Sequence, residues 1–275
     1  MSLPVRVSIG VCALLLVAGM ATAQSRDAPI PHDVGQSVTP AFEGWFPNAD
    51  GTFSLSFGYM NRNFKETLDI PIGPGNAFDF GPADQGQPTH FLARRHAGVF
   101  TVVVPADFGA RQLTWTLSSG GETIAIPGHL RPEWEIDALH EITSGNRPPM
   151  LKFDPDAEAS QGPGGAHSRL EASTGRPVTL EVWASDDGIK KRQSPREPVL
   201  GVAWSKYRGP GNVELGQARP QIDAHGKATT TATFDEPGSY MLRALVWDDS
   251  GPQGQIMAGG FQCCWTNGFV EITVR

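Results

Sequence analysis

The sequence has few cysteines, few basic residues and no long apolar run in its interior. Only three cysteines occur, and Cys263 and Cys264 are neighbours, so no disulfide can join distant parts of the mature chain. Lys and Arg number 22 against 29 Asp and Glu. The resulting net charge of −7 argues against a nucleic-acid partner, because phosphate backbones bind to basic surfaces. No apolar stretch approaches the ~20 residues of a membrane-spanning helix, so we expect no membrane span.

Motifs of known catalytic chemistry are also absent from the sequence. It contains no G-x-S-x-G nucleophile elbow, phosphate loop or dinucleotide fingerprint. His90 and His96 are six residues apart and lack the H-E-x-x-H pattern of a zinc site. We therefore lean against an enzyme. Paired carboxylates for glycoside hydrolysis stay open, because they must be close in space rather than in sequence. The isolated histidines are His129, His140, His167 and His225.

The first 23 residues have the pattern of an export signal. Arg6 precedes an apolar run at 7–20, and Ala21-Thr22-Ala23 places small residues at the cleavage positions. Cys12 lies inside the apolar run, which argues against a lipid-anchored cysteine at the cleavage point. We expect a soluble periplasmic or extracellular protein of net charge −8, with residues 24–38 as a flexible leader.

Short apolar runs separated by glycine and proline dominate the first half. The 32 glycines and 23 prolines are spread along the chain, which favours tight turns over long helices. At 53–59, large apolar residues alternate with small or polar ones, the period of a strand. We predict a β-sandwich over 39–143, with 133–142 as a last strand or a helical turn and 144–150 as a linker. Its further strands are predicted at 67–72, 99–104, 113–117 and 123–126.

The second half, 151–275, shows the same alternation more clearly. A Gly/Pro/Ala tract at 157–167 indicates a loop early in this half. The sequence therefore predicts an all-β protein of two tandem antiparallel β-sandwiches. Strands of the second sandwich are predicted at 178–183, 200–204, 228–234, 240–246 and 270–275.

Two segments of the second half carry a family resemblance. In residues 203–211, Trp204 precedes Gly209-Pro210-Gly211, a W-x-x-x-x-G-P-G pattern, and residues 230–240 read T-T-A-T-F-D-E-P-G-S-Y. Both resemble immunoglobulin-like domains of the polycystic-kidney-disease (PKD-like) type, over about 175–275. The resemblance implies a core indole at Trp204 and a tyrosine corner at Tyr240. It implies no activity, and the N-terminal half is similar only to exported bacterial proteins of unknown function.

Pairs of aspartates follow two predicted strands of this sandwich. In the immunoglobulin topology the loops after these strands emerge at one end, so Asp186, Asp187, Asp248 and Asp249 are predicted to converge. Oxygen ligands of this kind suit Ca²⁺, which is the candidate cofactor, although the fold requires none. The alternative is turn chemistry, in which Asp accepts hydrogen bonds from loop amides. Nearby cations that could neutralise the carboxylates without a metal are Lys190, Lys191 and Arg192.

The connection at 250–268 is long for a hairpin and carries apolar side chains. Loops beyond ~12–15 residues are usually functional or disordered. Ile256, Met257, Phe261 and Trp265 are therefore candidates for a recognition surface. The alternative is that they cap the open end of the core, which we favour for Phe261 and Trp265.

Cys263 and Cys264 lie in the same connection. They can form a vicinal disulfide, stay free, or bridge two molecules. Neighbouring Cα atoms across a trans peptide are ~3.8 Å apart, below the usual disulfide range of ~4.4–6.8 Å, so a vicinal bond demands a distorted turn. Such a turn can serve as a ligand platform or a redox switch. A soft-metal site with Met257 ranks below the disulfide.

The leading functional prediction is a non-catalytic exported protein that acts as a binding or structural module at the cell surface. Loops of its sandwiches would contact a protein or glycan ligand. The alternatives are a hydrolase with a site at the domain junction, and a redox protein using Cys263-Cys264. A carboxylate within ~3 Å of His90 or His96 would favour the hydrolase. Asn61-Arg62-Asn63 could contact a sugar, although loop polarity explains these residues as well.

Overall fold

The computed structural model describes residues 31–142, 145–189, 200–248 and 263–275. Regular structure in these residues is almost entirely strand, apart from a single 3-10 turn at Pro132–Trp134. The all-β prediction is therefore confirmed. No helix in these residues is long and apolar enough to cross a membrane.

The N-terminal half contains three small antiparallel sheets. The first has the order β1-β2-β6, the second β4-β7-β8, and the third is the pair β3-β5. The predicted strand at 67–72 shrinks to two residues, because Pro71 has no N–H to continue the ladder. The strands are β1 (Val38–Pro47), β2 (Phe53–Asn61), β3 (Leu68–Asp69), β4 (Asn76–Phe78), β5 (His90–Phe91), β6 (Arg94–Val104), β7 (Leu113–Ser119) and β8 (Glu122–Gly128).

The C-terminal half is an immunoglobulin-like sandwich of two larger sheets. One has the order β10-β9-β12-β15-β14 and the other β11-β17-β16-β13. Leu180 and Val182 face Leu242 across a core that contains no cysteine. The strands are β9 (Met150–Lys152), β10 (Ser160–Gln161), β11 (Ala166–Ala172), β12 (Val178–Ser185), β13 (Gly201–Arg208), β14 (Val213–Leu215), β15 (Lys227–Phe234), β16 (Gly238–Trp247) and β17 (Trp265–Val274).

The two residues singled out by the family resemblance occupy the implied positions. Trp204 is buried in the sandwich core. The Tyr240 hydroxyl donates to Glu236 O at 2.9 Å and accepts from Gly211 N at 3.0 Å, which is the hydrogen bonding of a tyrosine corner.

The tract at 157–167 departs from the predicted loop. It contains β10 and the start of β11, and β11 pairs in parallel with β17, so this sheet is mixed rather than antiparallel. The chain leaves the first sheet after β10 and enters the second at β11, which runs in the same direction as β17. Gly165 permits the approach: its φ is +80°, and a Cβ there would lie 2.8 Å from Asn267 O.

Two hydrophobic cores can be distinguished within one compact unit, Pro31–Arg275. Tyr207 and Phe269 belong to strands of the C-terminal half, yet they pack in the N-terminal core. Residues 133–142 contain the 3-10 turn and then an extended segment, in which Ile136 N donates to Trp45 O at 2.9 Å. The division into domains at 39–143 and 151–275, with a linker at 144–150, stays a prediction.

Candidate functional site

A buried arginine lies where the two halves meet. Arg243 on β16 is 6% exposed, and its Nε and Nη2 donate to Asn267 Oδ1 at 2.9 and 2.6 Å. Within the described residues its guanidinium forms no ion pair with a carboxylate. Burial lowers the pKa of Arg243 to about 10. A neutral amide oxygen is therefore its principal partner.

Asn267 and Trp265 extend this contact into the N-terminal half. Asn267 Nδ2 donates to Gly98 O at 3.0 Å and to Pro163 O at 2.9 Å, and Trp265 Nε1 donates to Gly98 O at 3.1 Å. A Cβ at Gly98 would overlap the Trp265 ring. We call Arg243, Asn267, Trp265 and Gly98 the junction cluster. It connects β6 of one half to β16 and β17 of the other.

Trp265 thus lies in a different place from the predicted loop. It is the first residue of β17 and is fully buried, so its ring offers no surface to a ligand. The other three candidates for a recognition surface, Ile256, Met257 and Phe261, lie outside the described residues.

His96 lies beside the junction cluster. Its ring stacks on Tyr59 with centroids 5.0 Å apart, and Nε2 lies 3.0 Å from Ala93 O. Burial, together with the charges of Arg243 and Arg95, lowers the pKa of His96 to about 4. The imidazole is therefore neutral at physiological pH, and it is half-buried between Tyr59 and the backbone of Ala93.

His90 forms the one contact that the hydrolase alternative asked for. Its Nδ1 lies 2.9 Å from Asp69 Oδ1, and Lys206 Nζ is 3.5 Å from the same oxygen. Burial lowers the pKa of His90, although Asp69 opposes this shift. No hydroxyl or thiol among the described residues hydrogen-bonds to the imidazole. The His90 imidazole therefore has a carboxylate partner, but no hydroxyl or thiol nucleophile beside it.

Three of the four candidate calcium ligands lie at one end of the C-terminal sandwich. Asp248 is fully buried and accepts from Asn146 Nδ2 at 2.8 Å, while Asp187 accepts from Arg147 N at 3.2 Å. Burial and, after it, the charges of Asp248 and Asp187 raise the pKa of Asp186. The strand ends therefore meet, with residues 146–147 between them.

The fourth ligand, Asp249, lies outside the described residues, as do Lys190, Lys191 and Arg192. Among the residues that the structure does describe, no group of three or more His, Cys, Asp or Glu side chains is arranged to hold a metal ion. The calcium site stays a prediction.

Cys263 and Cys264 are joined by a vicinal disulfide at this same end. The peptide bond between them is cis, and their Cα atoms are 3.1 Å apart rather than the ~3.8 Å of a trans peptide. Both residues are buried, and Cys264 Sγ lies 3.7 Å from Asn146 O. The disulfide is therefore packed against the segment that contacts Asp248.

The amides of Asn61 and Asn63, which sequence analysis considered for sugar contacts, are fully buried. Asn61 Nδ2 donates to Glu66 O at 2.8 Å, and Asn63 Nδ2 donates to Gln36 O at 2.9 Å. Arg62 pairs with Glu122 at 3.4 Å. These side chains hold loops together, in agreement with the loop-polarity interpretation.

A surface cavity of about 420 Å³ in the N-terminal half was not predicted from the sequence. Its walls come from the turn before β7 and from the segment after β8, and they include Arg111, His129 and Arg131. Trp134 is not a lining residue, but its ring contacts that of His129, with centroids 5.7 Å apart. In the sequence this region is only the short run Arg131-Pro132-Glu133-Trp134, which has no periodicity that could mark it.

No protein-family model matches the chain, and no curated protein matches it either. Among solved structures, it is similar to the D0–D1 domain of intimin at 12% identity and TM-score 0.26, over 86% of this chain and 97% of that one. It is also similar to domains 4 and 5 of the S-layer protein SbsC at 13% identity and TM-score 0.25, over 64% of this chain and 70% of that one. The adhesin InvE of Yersinia pseudotuberculosis gives 14% identity and TM-score 0.25, over 86% and 58%. We infer neither function nor partner from similarities of this size.

Proposed function

We propose that this chain is an exported, non-catalytic binding or structural module of the periplasm or cell surface. It consists of two sandwiches, the second PKD-like, and surface loops contact a protein or glycan ligand. Calcium binding at the acidic end of the second sandwich belongs to the same proposal.

The observation that carries the proposal is that the polar side chains considered for a site form internal hydrogen bonds and packing contacts. In the junction cluster, the guanidinium, amide and indole groups form hydrogen bonds that connect the two halves. The Asn61 and Asn63 amides are buried in the same way, and the half-buried His96 ring stacks on Tyr59. Buried, hydrogen-bonded polar groups fix a geometry, whereas an active site needs reactive groups open to a substrate.

Support for export comes from the sequence pattern of residues 1–23. The vicinal disulfide agrees with it, because disulfides persist in oxidising compartments. Processing after Ala23 in a bacterial host, measured by intact mass of the periplasmic or secreted protein, tests this part. Retention of an unprocessed chain in the cytoplasm would contradict it.

The competing function is a hydrolase, and the contact between His90 and Asp69 favours it. A panel of chromogenic esters, glycosides and peptides, assayed with residues 24–275, separates the two. We expect no turnover above buffer. The proposal would be wrong, and the protein an enzyme, if turnover were abolished by His90→Ala and by Asp69→Asn but retained in the control His225→Ala.

A further inference from the structure

The cavity beside Trp134 has the features of a ligand site. Its volume of about 420 Å³ lies within the ~300–1,000 Å³ typical of ligand pockets. The cavity is formed by two segments that adjoin strands: residues 109–112 before β7 and residues 129–132 after β8. Strands of one sheet thus support both walls, so the cavity is held by the fold.

Arg131 places an unpaired guanidinium at the cavity. Across the part of the chain that the structure describes, its guanidinium has no hydrogen-bond or ion-pair partner, and its side chain is exposed at the cavity. Its backbone is held instead: Arg131 O accepts from Trp45 Nε1 at 2.8 Å. A free guanidinium on a fixed backbone matches the planar, two-oxygen geometry of a carboxylate.

Arg111 forms the opposite wall and is held in place. Its Nε donates to Phe108 O at 2.9 Å and its Nη2 donates to Asp107 Oδ1 at 2.9 Å. These bonds leave Nη1 available while they fix the plane of the guanidinium. The wall can therefore donate a hydrogen bond without an entropic cost for ordering a long side chain.

Trp134 adds a flat apolar surface next to His129, a residue of the cavity wall. Its side chain is 42% exposed, yet its ring stacks on Phe42 with centroids 5.5 Å apart. It also meets the His129 ring edge-on at 5.7 Å, and His129 lines the cavity. An exposed aromatic ring that is held on its other side suits the apolar C–H face of a sugar, because both surfaces are flat.

We infer that this cavity binds an acidic saccharide, with the carboxylate of a hexuronic acid on Arg131 and the sugar ring over Trp134. The net charge of −7 does not prevent this, because charges beyond ~8 Å are largely screened at physiological ionic strength. The inference rests on the proposed binding function and names the class of ligand for it.

Calorimetric titration of residues 24–275 with trigalacturonate tests the inference, with the neutral trisaccharide of galactose as the matched probe. We expect saturable binding of trigalacturonate that is at least tenfold tighter than binding of the neutral trisaccharide. Arg131→Gln and Trp134→Ala should each weaken it about tenfold or more. Arg169→Gln, which removes an exposed charge from the other half, should leave it unchanged.

Several outcomes would overturn the inference. These are no binding of trigalacturonate, equal binding of the neutral sugar, equal loss in Arg169→Gln, or full competition by sulfate at equal concentration, which would indicate a simple anion site. Circular dichroism melts of each variant show whether it is folded. Absence of binding sinks only this inference, whereas release of reducing ends from trigalacturonate would sink the proposed non-catalytic function as well.

Discussion

The two hydrophobic cores are built from different side chains. The N-terminal core consists largely of aromatic rings that contact one another, with Phe57, Phe100 and Trp115 at its centre. The C-terminal core has three aromatic residues among many Val, Leu and Ala. Those three are Trp204, Phe234 and Tyr240.

The sheets explain the difference. Those of the N-terminal half have two or three strands, with register shifts at Phe42/Gly44 and Phe57/Tyr59. Each aromatic side chain buries ~150–250 Å², so a few rings supply the buried area that sheets of only two or three strands would otherwise lack. The C-terminal sheets have four and five strands, and small β-branched residues pack between them at regular intervals. Both halves contain register shifts, including one at Lys206/Arg208, so the difference in core composition follows the number of strands in each sheet.

The largest expected effect comes from breaking the contact between the two halves. In Asn267→Ala the buried Arg243 loses its amide acceptor, and Gly98 O and Pro163 O lose a donor. We expect the free energy of unfolding, measured in urea, to fall by about 3 kcal/mol or more, because a buried charged donor loses its hydrogen-bond acceptor. The exposed control Asn212→Ala should lose less than about 1 kcal/mol. Similar losses in both variants would contradict the role of the junction cluster.

Acid should weaken the N-terminal half in particular. The pKa of His96 falls from its ordinary value near 6.5 to about 4 on folding, so the unfolded chain binds the proton more readily between these values. Stability present above pH 6.5 is therefore lost as pH falls toward 4, by about 3 kcal/mol. Burial lowers the pKa values of His90 and His129 as well, which acts in the same direction. The described histidines of the C-terminal half, His167 and His225, are exposed.

Unfolding in urea at pH 7 and at pH 4.5 measures this loss. His96→Gln, which keeps a donor for Ala93 O, should show a smaller difference between the two pH values than the parent chain. If the loss of stability between pH 7 and pH 4.5 were the same in His96→Gln as in the parent chain, the acid sensitivity would come from other groups.

The two buried tryptophans test the comparison of the cores directly. Trp115 Nε1 donates to Asn76 Oδ1 at 2.9 Å, whereas Trp204 Nε1 is buried without a hydrogen-bond partner. Each change to Phe removes the same volume, but Trp115→Phe also leaves a buried acceptor unpaired. We expect Trp115→Phe to be more destabilising by about 1–2 kcal/mol in denaturant unfolding. Equal losses of unfolding free energy in the two variants would mean that the indole hydrogen bond of Trp115 contributes little to stability.

The smallest effect is expected at the acidic end of the second sandwich. Folding raises the pKa of Asp186, so its charged form destabilises the fold above the unfolded pKa. Because the side chain is partly exposed, Asp186→Asn should stabilise the protein at pH 7 by less than about 1 kcal/mol, and not at pH 3. A calcium-dependent increase in Tm that Asp186→Asn abolishes would instead support the calcium site.

Sequence patterns predicted the long strands because alternation is a local property. Leu113, Trp115 and Leu117 on β7 are buried and alternate with half-buried residues, as their period-two spacing predicted. On β2, Leu55, Phe57 and Tyr59 are buried, but the small residues between them are buried too, and Phe53 is half-buried. The resemblance likewise placed Trp204 and Tyr240. The short strands β9, β10 and β14 were missed, because two or three residues carry no measurable period.

Candidate site residues were harder to predict. The meeting of Asp186, Asp187 and Asp248 followed from strand topology, which the sequence supplied. The core-capping interpretation anticipated a buried Trp265, but not its packing against Gly98, because the two residues are 167 positions apart. The cavity at Arg131 brings together two turns whose distance no local pattern encodes.

By itself, the sequence determined that the chain forms sheets, because alternating burial is written residue by residue. Only the tertiary structure decided the parallel pairing of β11 with β17, the junction cluster around Arg243 and the surface cavity beside Trp134. The reason is physical: these features depend on which distant segments come into contact. That choice is made by packing of the whole chain and not by the preferences of neighbouring residues.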